Sequence, residues 1–225
     1  MHTGKFAILL DGAFVSRRLN IQLSRFPKAG DVVDYCEKIK SSPRLKGLSL
    51  LRIYFYDAPP ATEEIINPVD DSRLSLAGTD ISRKNDSLIK SLQLKDDFAL
   101  RLGEASLNHD LRGFKEIKKR PWMLKGNSLS EIIKQKRPIL ASDLKPHITQ
   151  KGVDLRIGLD IARLSLLHLV EIIVVVTGDS DMVPALKFAR REGIRVYLDY
   201  MDGAVKNELK VHADVVLDVF QAKQL

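Results

Sequence analysis

With 225 residues, 44% of them hydrophobic and 29% charged, the chain has the composition of a soluble globular protein and the length for one large core with a sizeable insertion. One cysteine, Cys36, excludes an intramolecular disulfide and a zinc-type cluster, and fits a reducing cytoplasmic setting. No membrane span or signal peptide is expected, because Leu164–Val176 is broken by His168 and Glu171 and Phe6–Leu10 stops at Asp11; a net charge of +7 and a pI near 9.4 point to a polyanionic partner.

In chain order, Lys5–Leu10 reads as a short apolar strand ending at Asp11-Gly12. Phe14, Leu19, Ile21 and Leu23 follow helical spacing, and Asp31 caps a second helix with Val32, Val33, Tyr35, Cys36 and Ile39 on its apolar face. Strand two, Leu48–Tyr56, ends at Asp57. The α/β rhythm is then lost, so the chain reads as a single domain with core 1–57 and 151–220 and an insertion, 58–150, with β-hairpin content. Within it Phe98–Leu102 alternates as a half-exposed strand would. Residues 113–137 carry eight basic against two acidic side chains, so nearly all of the net charge sits there, around Trp122. Two readings stand open. Lys118, Lys119, Arg120, Trp122 and Lys125 neutralise a backbone and stack the bases of a single-stranded nucleic acid, or the stretch is a solvated hairpin with Trp122 packed beneath it.

The rhythm resumes with a helix over Lys151–Leu169, whose apolar positions are Val153, Ile157, Ile161 and Leu164. Asp154 lies in its first turn, and Asp160 is turned about 240° away from it at 100° per residue. Ile172–Val176 is an unbroken β-branched run, the mark of a parallel strand buried on both faces. It stops at Thr177-Gly178-Asp179-Ser180-Asp181, Pro184 opens a helix that Gly193 ends, and Ile194–Leu198 is the next strand. Val205–Val211 reads as a short helix and Asp214–Phe220 as a last, edge strand. The fold class is α/β with a mainly parallel sheet.

Asp11, Asp179 and Asp181 each follow a strand at its carboxyl end, where open α/β sheets place ligand sites, and Asp154 joins them from a helix start. The bland alternative makes Ser180 or Asp181 a helix cap. Four converging carboxylates repel one another unless a hard cation compensates them, and an oxygen-only donor set points to Mg²⁺ or Mn²⁺. Beside a basic segment, such an ion suits phosphodiester hydrolysis. Neither a Walker loop nor a GxGxxG fingerprint competes, and the five histidines are scattered.

The segments ILLDGAF, YFYDAPP, KGVDLRIGLDIA and VVTGDSDMVPALKFARREGIRVYLD together resemble the NYN domain in its LabA-like bacterial branch, within the PIN-like nuclease superfamily. The resemblance spans about 1–60 and 150–220. It implies a three-layer α/β/α sandwich, an acidic metal site and ribonuclease activity with Mg²⁺ or Mn²⁺; joined to the cysteine usage and the basic insertion, the reading is a cytoplasmic endoribonuclease. Asp11, Asp154, Asp179 and Asp181 then hold the metal, with Asp160 at the second acidic position of the KGVD helix. Many NYN members carry Asn three residues after the first Asp; here Phe14 stands there, which keeps a non-catalytic RNA-binding or assembly module as the alternative. LLDGAF is also similar to the first motif of haloacid-dehalogenase enzymes, but Ala13 occupies the place of that motif's second Asp. Homo-oligomerisation stays open.

Overall fold

The computed structural model describes residues 4–107, 122–126 and 128–220. Its elements run β1 (Lys5–Asp11), α1 (Gly12–Leu23), α2 (Ala29–Lys40), β2 (Ser49–Asp57), β3 (Glu64–Ile66), β4 (Arg73–Ser75), α3 (Asp80–Leu92) and β5 (Phe98–Leu102). They continue with β6 (Glu104–Leu107), β7 (Trp122–Leu124), α4 (Ser128–Gln135), β8 (Leu144–Pro146), β9 (Ile148–Lys151), α5 (Val153–Leu166) and β10 (Ile172–Val176). Last come α6 (Val183–Arg191), β11 (Arg195–Asp199), α7 (Asn207–Val211) and β12 (Val215–Val216).

Two compact units divide the chain: residues 1–57, 87–103 and 152–225 form the first, residues 58–86 and 104–151 the second. In the first unit six strands lie in the order β12-β11-β10-β1-β2-β5, every pair parallel. Counted along the chain, this is the doubly wound order 3-2-1-4-5-6, which reverses direction between β1 and β10. The period of two in each strand sends alternate side chains to opposite faces. On one face Phe6, Ile8, Leu10, Ile53, Phe55, Val174, Val176 and Tyr197 pack with Val15 and Leu19 of α1, Val32, Tyr35 and Ile39 of α2, and Leu88 and Leu92 of α3. The intervening Leu9, Val175 and Leu198 are as fully buried, as are Ile161 and Leu164 of α5 and Leu186 of α6. The sheet between two helical layers is the α/β/α sandwich that the sequence predicts.

The second unit is small and antiparallel. Its strands pair two by two, β3 with β4, β6 with β9 and β7 with β8. Its core is Ala61, Ile65, Leu76 and Trp122.

Several boundaries move from the sequence reading. The sheet takes β5 from inside the stretch read as one insertion, pairing Ile53–Asp57 with Phe98–Leu102 in parallel. Asp31 does not cap α2; it stands in the first turn and accepts from the Lys28 N–H at 2.6 Å. The helix from 151 is shorter at both ends, closing before His168, whose φ of 46° is left-handed. The last strand keeps only two residues, Val215 and Val216.

Candidate functional site

Register brings the first carboxylate to the switch point. Leu10 of β1 lies opposite Val176 of β10, so the next residue on each strand, Asp11 and Thr177, emerge side by side at the carboxyl edge. The Thr177 hydroxyl donates to Asp11 Oδ2 at 2.9 Å and accepts from the Asp179 N–H at 3.1 Å. One small side chain thus ties the end of β1 to the turn after β10. The other Asp11 oxygen accepts from the Phe14 N–H at 3.1 Å, making Asp11 the N-cap of α1.

The turn folds tightly for a local reason. Asp179 Oδ1 accepts from the Asp181 N–H at 2.9 Å, capping a single 3-10 turn, Ser180–Met182, that runs into α6 with Pro184 in its first turn. The cap is therefore Asp179, in place of the Ser180 or Asp181 considered from sequence. Asp181 stays exposed, as does Asp154 in the first turn of α5.

Electrostatics show how near these groups are. Burial pushes the Asp11 carboxyl above its ordinary value against two hydrogen bonds that favour the anion, and the charges of Asp154 and Asp179 push the same way. Asp154, though exposed as a residue, is raised by partial desolvation of its carboxyl and then by Asp179 and Asp181. Asp154 and Asp179 thus act on Asp11, and Asp179 and Asp181 on Asp154.

Asp160 is elsewhere engaged. Its Oδ2 accepts from the Tyr56 hydroxyl at 2.9 Å and from Arg101 Nε at 3.0 Å, locking α5 onto β2 and β5. The expected fifth acidic ligand is a structural anchor, because its side of α5 packs on the sheet.

Trp122 corrects the stacking expectation. Its ring is 5% exposed in the core of the second unit, and its indole N–H donates to the Ile66 carbonyl at 2.8 Å. A ring so placed has no face to offer a base. Lys125 is exposed. Lys118, Lys119 and Arg120 lie outside the described residues.

Phe14 is the wedge under the site. Its ring is 6% exposed, and a Cβ added to Gly178 would stand 2.5 Å from its Cε2. So the turn after β10 needs glycine because this phenylalanine fills the space beneath it. The Arg17 guanidinium sits 6.0 Å over the same ring and is exposed. Thr177 and Arg17 are the two residues that sequence reasoning missed. For Thr177 the signal was its place directly after the central strand; for Arg17, its spacing of one helical turn from Phe14.

The donor set suits a hard cation: four carboxylates, no sulfur or imidazole, with Asp11 and Asp154 raised first by desolvation and then by neighbouring carboxylates. Among the described residues no three His, Cys, Asp or Glu side chains gather closely enough to form an ion cage.

Fold and acidic edge together define a doubly wound α/β protein with a polar site at its switch point. Residues 112–220, just under half of the chain, match the NYN domain. The matched span holds Asp154, Asp160, Asp179 and Asp181 and leaves Asp11 outside. No curated protein matches the chain. A solved structure of a protein of unknown function from Vibrio parahaemolyticus is similar, with a TM-score of 0.50 and 14% identity over 96% of this chain and 93% of that chain. At that identity the likeness bears on the fold alone. Among the described residues no helix is long and apolar enough to cross a membrane.

Proposed function

We propose that the protein is a ribonuclease that hydrolyses RNA phosphodiester bonds with Mg²⁺ or Mn²⁺ held at Asp11, Asp154, Asp179 and Asp181. The observation that carries this reading is the acidic edge at the switch point, where Thr177 bridges Asp11 to the Asp179 backbone and Asp11, raised first by burial, is raised further by the charges of Asp154 and Asp179. The NYN match over 112–220 supports the same class and RNA as its substrate. A bound divalent ion supplies charge neutralisation at the scissile phosphate and a more acidic water.

The chain's own groups do the rest. Asp11 is held from two sides, so its orientation is set before substrate arrives. The exposed carboxylates of Asp154 and Asp181 are the ones open to water and to hydrated ions. Arg17, on the solvent side of Phe14, offers a cation to a neighbouring phosphate.

Cleavage of a labelled single-stranded RNA with Mn²⁺, with Mg²⁺ and with chelator tests this. Cutting is expected with metal alone, and Asp11→Asn and Asp179→Asn are each expected to lower it at least 100-fold with little change in melting temperature. Unchanged cutting by Asp179→Asn would sink the assignment.

A non-catalytic RNA-binding module is the second reading, favoured by Phe14 in place of a polar side chain and by the open spacing of the carboxylates. It expects salt-sensitive RNA binding with no metal-dependent turnover.

A further inference from the structure

α6 starts beside the carboxylates and ends at the opposite edge of the sheet, where Gly193, with φ of 83°, turns the chain into β11. At that far edge an open cleft of about 460 Å³ is lined by Lys187, Arg190, Arg191, Gly193, Arg195 and Asp214, with four cations to one carboxylate. Two guanidiniums are held from behind. Arg190 Nε donates to Asp214 Oδ1 at 2.9 Å, while the other Asp214 oxygen accepts from the Val196 N–H at 2.8 Å. Arg195 lies 5.4 Å over the Tyr197 ring. Both keep N–H donors for a ligand while losing little freedom on binding it.

Lys187 and Arg191 have no carboxylate partner among the described residues. They are like charges four positions apart on one helix face, an arrangement that disfavours the helix by itself. Cations near a helix C-terminus favour its dipole, which accounts for Arg190 and Arg191, but Arg195 is on a strand and Lys187 a turn earlier. Beyond Gly193 no side chain stands in the way, since a Cβ there would meet nothing within 4 Å.

We propose that this cleft is a second, non-catalytic site that grips the phosphates of an RNA strand some distance from the acidic edge. The proposal rests on the ribonuclease reading above. The five residues of β10 separate the two edges by about 17 Å at ~3.3 Å per residue, or about five nucleotides at the ~3.4 Å spacing of a stacked strand. A strand longer than that reaches both sites, and a shorter one reaches one.

The test is fluorescence anisotropy on the full chain carrying Asp179→Asn, so that the strand stays intact, with Mg²⁺ and labelled RNAs of about four and about twelve nucleotides. Lys187→Glu/Arg191→Glu is expected to weaken the twelve-nucleotide RNA at least ten-fold and to lower its salt slope by about two, with little effect on the short one. A charge-matched pair elsewhere, Lys38→Glu/Lys46→Glu, is expected to weaken both lengths slightly and alike. Lys187→Gln/Arg191→Gln, with melting temperature as the check on folding, repeats the test without adding negative charge. Loss of length dependence only in the cleft variants supports the site. Equal effects from the two pairs, or none, overturn it while leaving the nuclease reading intact. A mononucleotide bound as tightly as the long RNA overturns the RNA assignment in favour of a nucleotide pocket. Binding of neither RNA by the chain with an intact cleft overturns both readings.

Discussion

Asp11 and Asp179 each do two things, and the second explains why they are so well placed. Each caps a helical turn, which is a structural task worth about 1 kcal/mol, and in doing so each presents its carboxylate at a defined angle. Thr177 couples the two. Thr177→Val keeps the shape of the side chain and removes both hydrogen bonds, so the fold is expected to survive while cleavage falls roughly 10–100-fold, the cost typical of losing an outer-shell partner. Rates at saturating metal, compared with Thr177→Ser, check this; an unchanged rate in the valine variant would remove Thr177 from the mechanism. Phe14 and Gly178 are coupled in another way. Gly178→Ala alone is expected to destabilise strongly because its Cβ meets the Phe14 ring, but to cost much less in a Phe14→Ala background, where the space is open. A double-mutant cycle by denaturant unfolding reads the coupling directly, and additive losses would contradict the wedge.

At the scale of elements, α1 governs both loops beside the site. Phe14 lies under the turn after β10, and Arg18, one helical turn on, donates to the Met201 and Asp202 carbonyls at 2.9 Å each in the turn after β11. That second turn carries left-handed backbone at Met201 and Asp202, which costs free energy and needs fixing from outside. Buried Asp199 supplies the fixing, accepting from the Met201 N–H at 2.7 Å and from the Tyr35 hydroxyl of α2 at 2.8 Å. Burial pushes its carboxyl up to about 6, with Asp218 adding repulsion. A carboxyl raised on folding binds its proton more tightly in the folded state, so stability falls as pH rises from about 4 to about 6. The protein is expected to lose up to about 3 kcal/mol over that window from this group, and Asp199→Asn to flatten that slope. Melting temperatures between pH 4 and 7 for the two proteins test it; parallel curves would refute it.

Across the whole molecule, what was legible in the sequence follows from how local each signal is. The run Ile172–Val176 announces a doubly buried parallel strand because nothing else needs five β-branched residues together, and the turn after it announces a strand end. Strand ends in turn announce the acidic edge. The anchoring of Asp160 was not legible, because its partners, Tyr56 and Arg101, are 104 and 59 residues away, and sequence spacing, which set it on a different face from Asp154, carries no trace of such pairing. β5 was assigned to the insertion because an edge strand is only half-buried and short, while the choice between parallel and antiparallel partners is made by the sheet it joins. Trp122 looked like a base-stacking residue from its basic neighbours. Its burial depends on Ala61, Ile65 and Leu76, all from about 45–60 residues earlier in the chain.

The indole that stacks on no base is also the chain's sole tryptophan, and it lies in the core of the second unit. Emission excited at the red edge of the aromatic band therefore reports on that unit alone, while circular dichroism averages over both. In the same unit Arg137 grips Asp143 through two bonds of 2.7 and 2.8 Å and holds its carboxyl down at about 2. A carboxyl lowered on folding adds stability above its ordinary value near 4 and loses it as pH falls toward 2. Acid titration is expected to red-shift the emission in that range, and Asp143→Asn to shift it at higher pH or lower temperature than the parent. If emission and dichroism part company along the titration, the molecule carries its own optical separation of two folding transitions, with no label added.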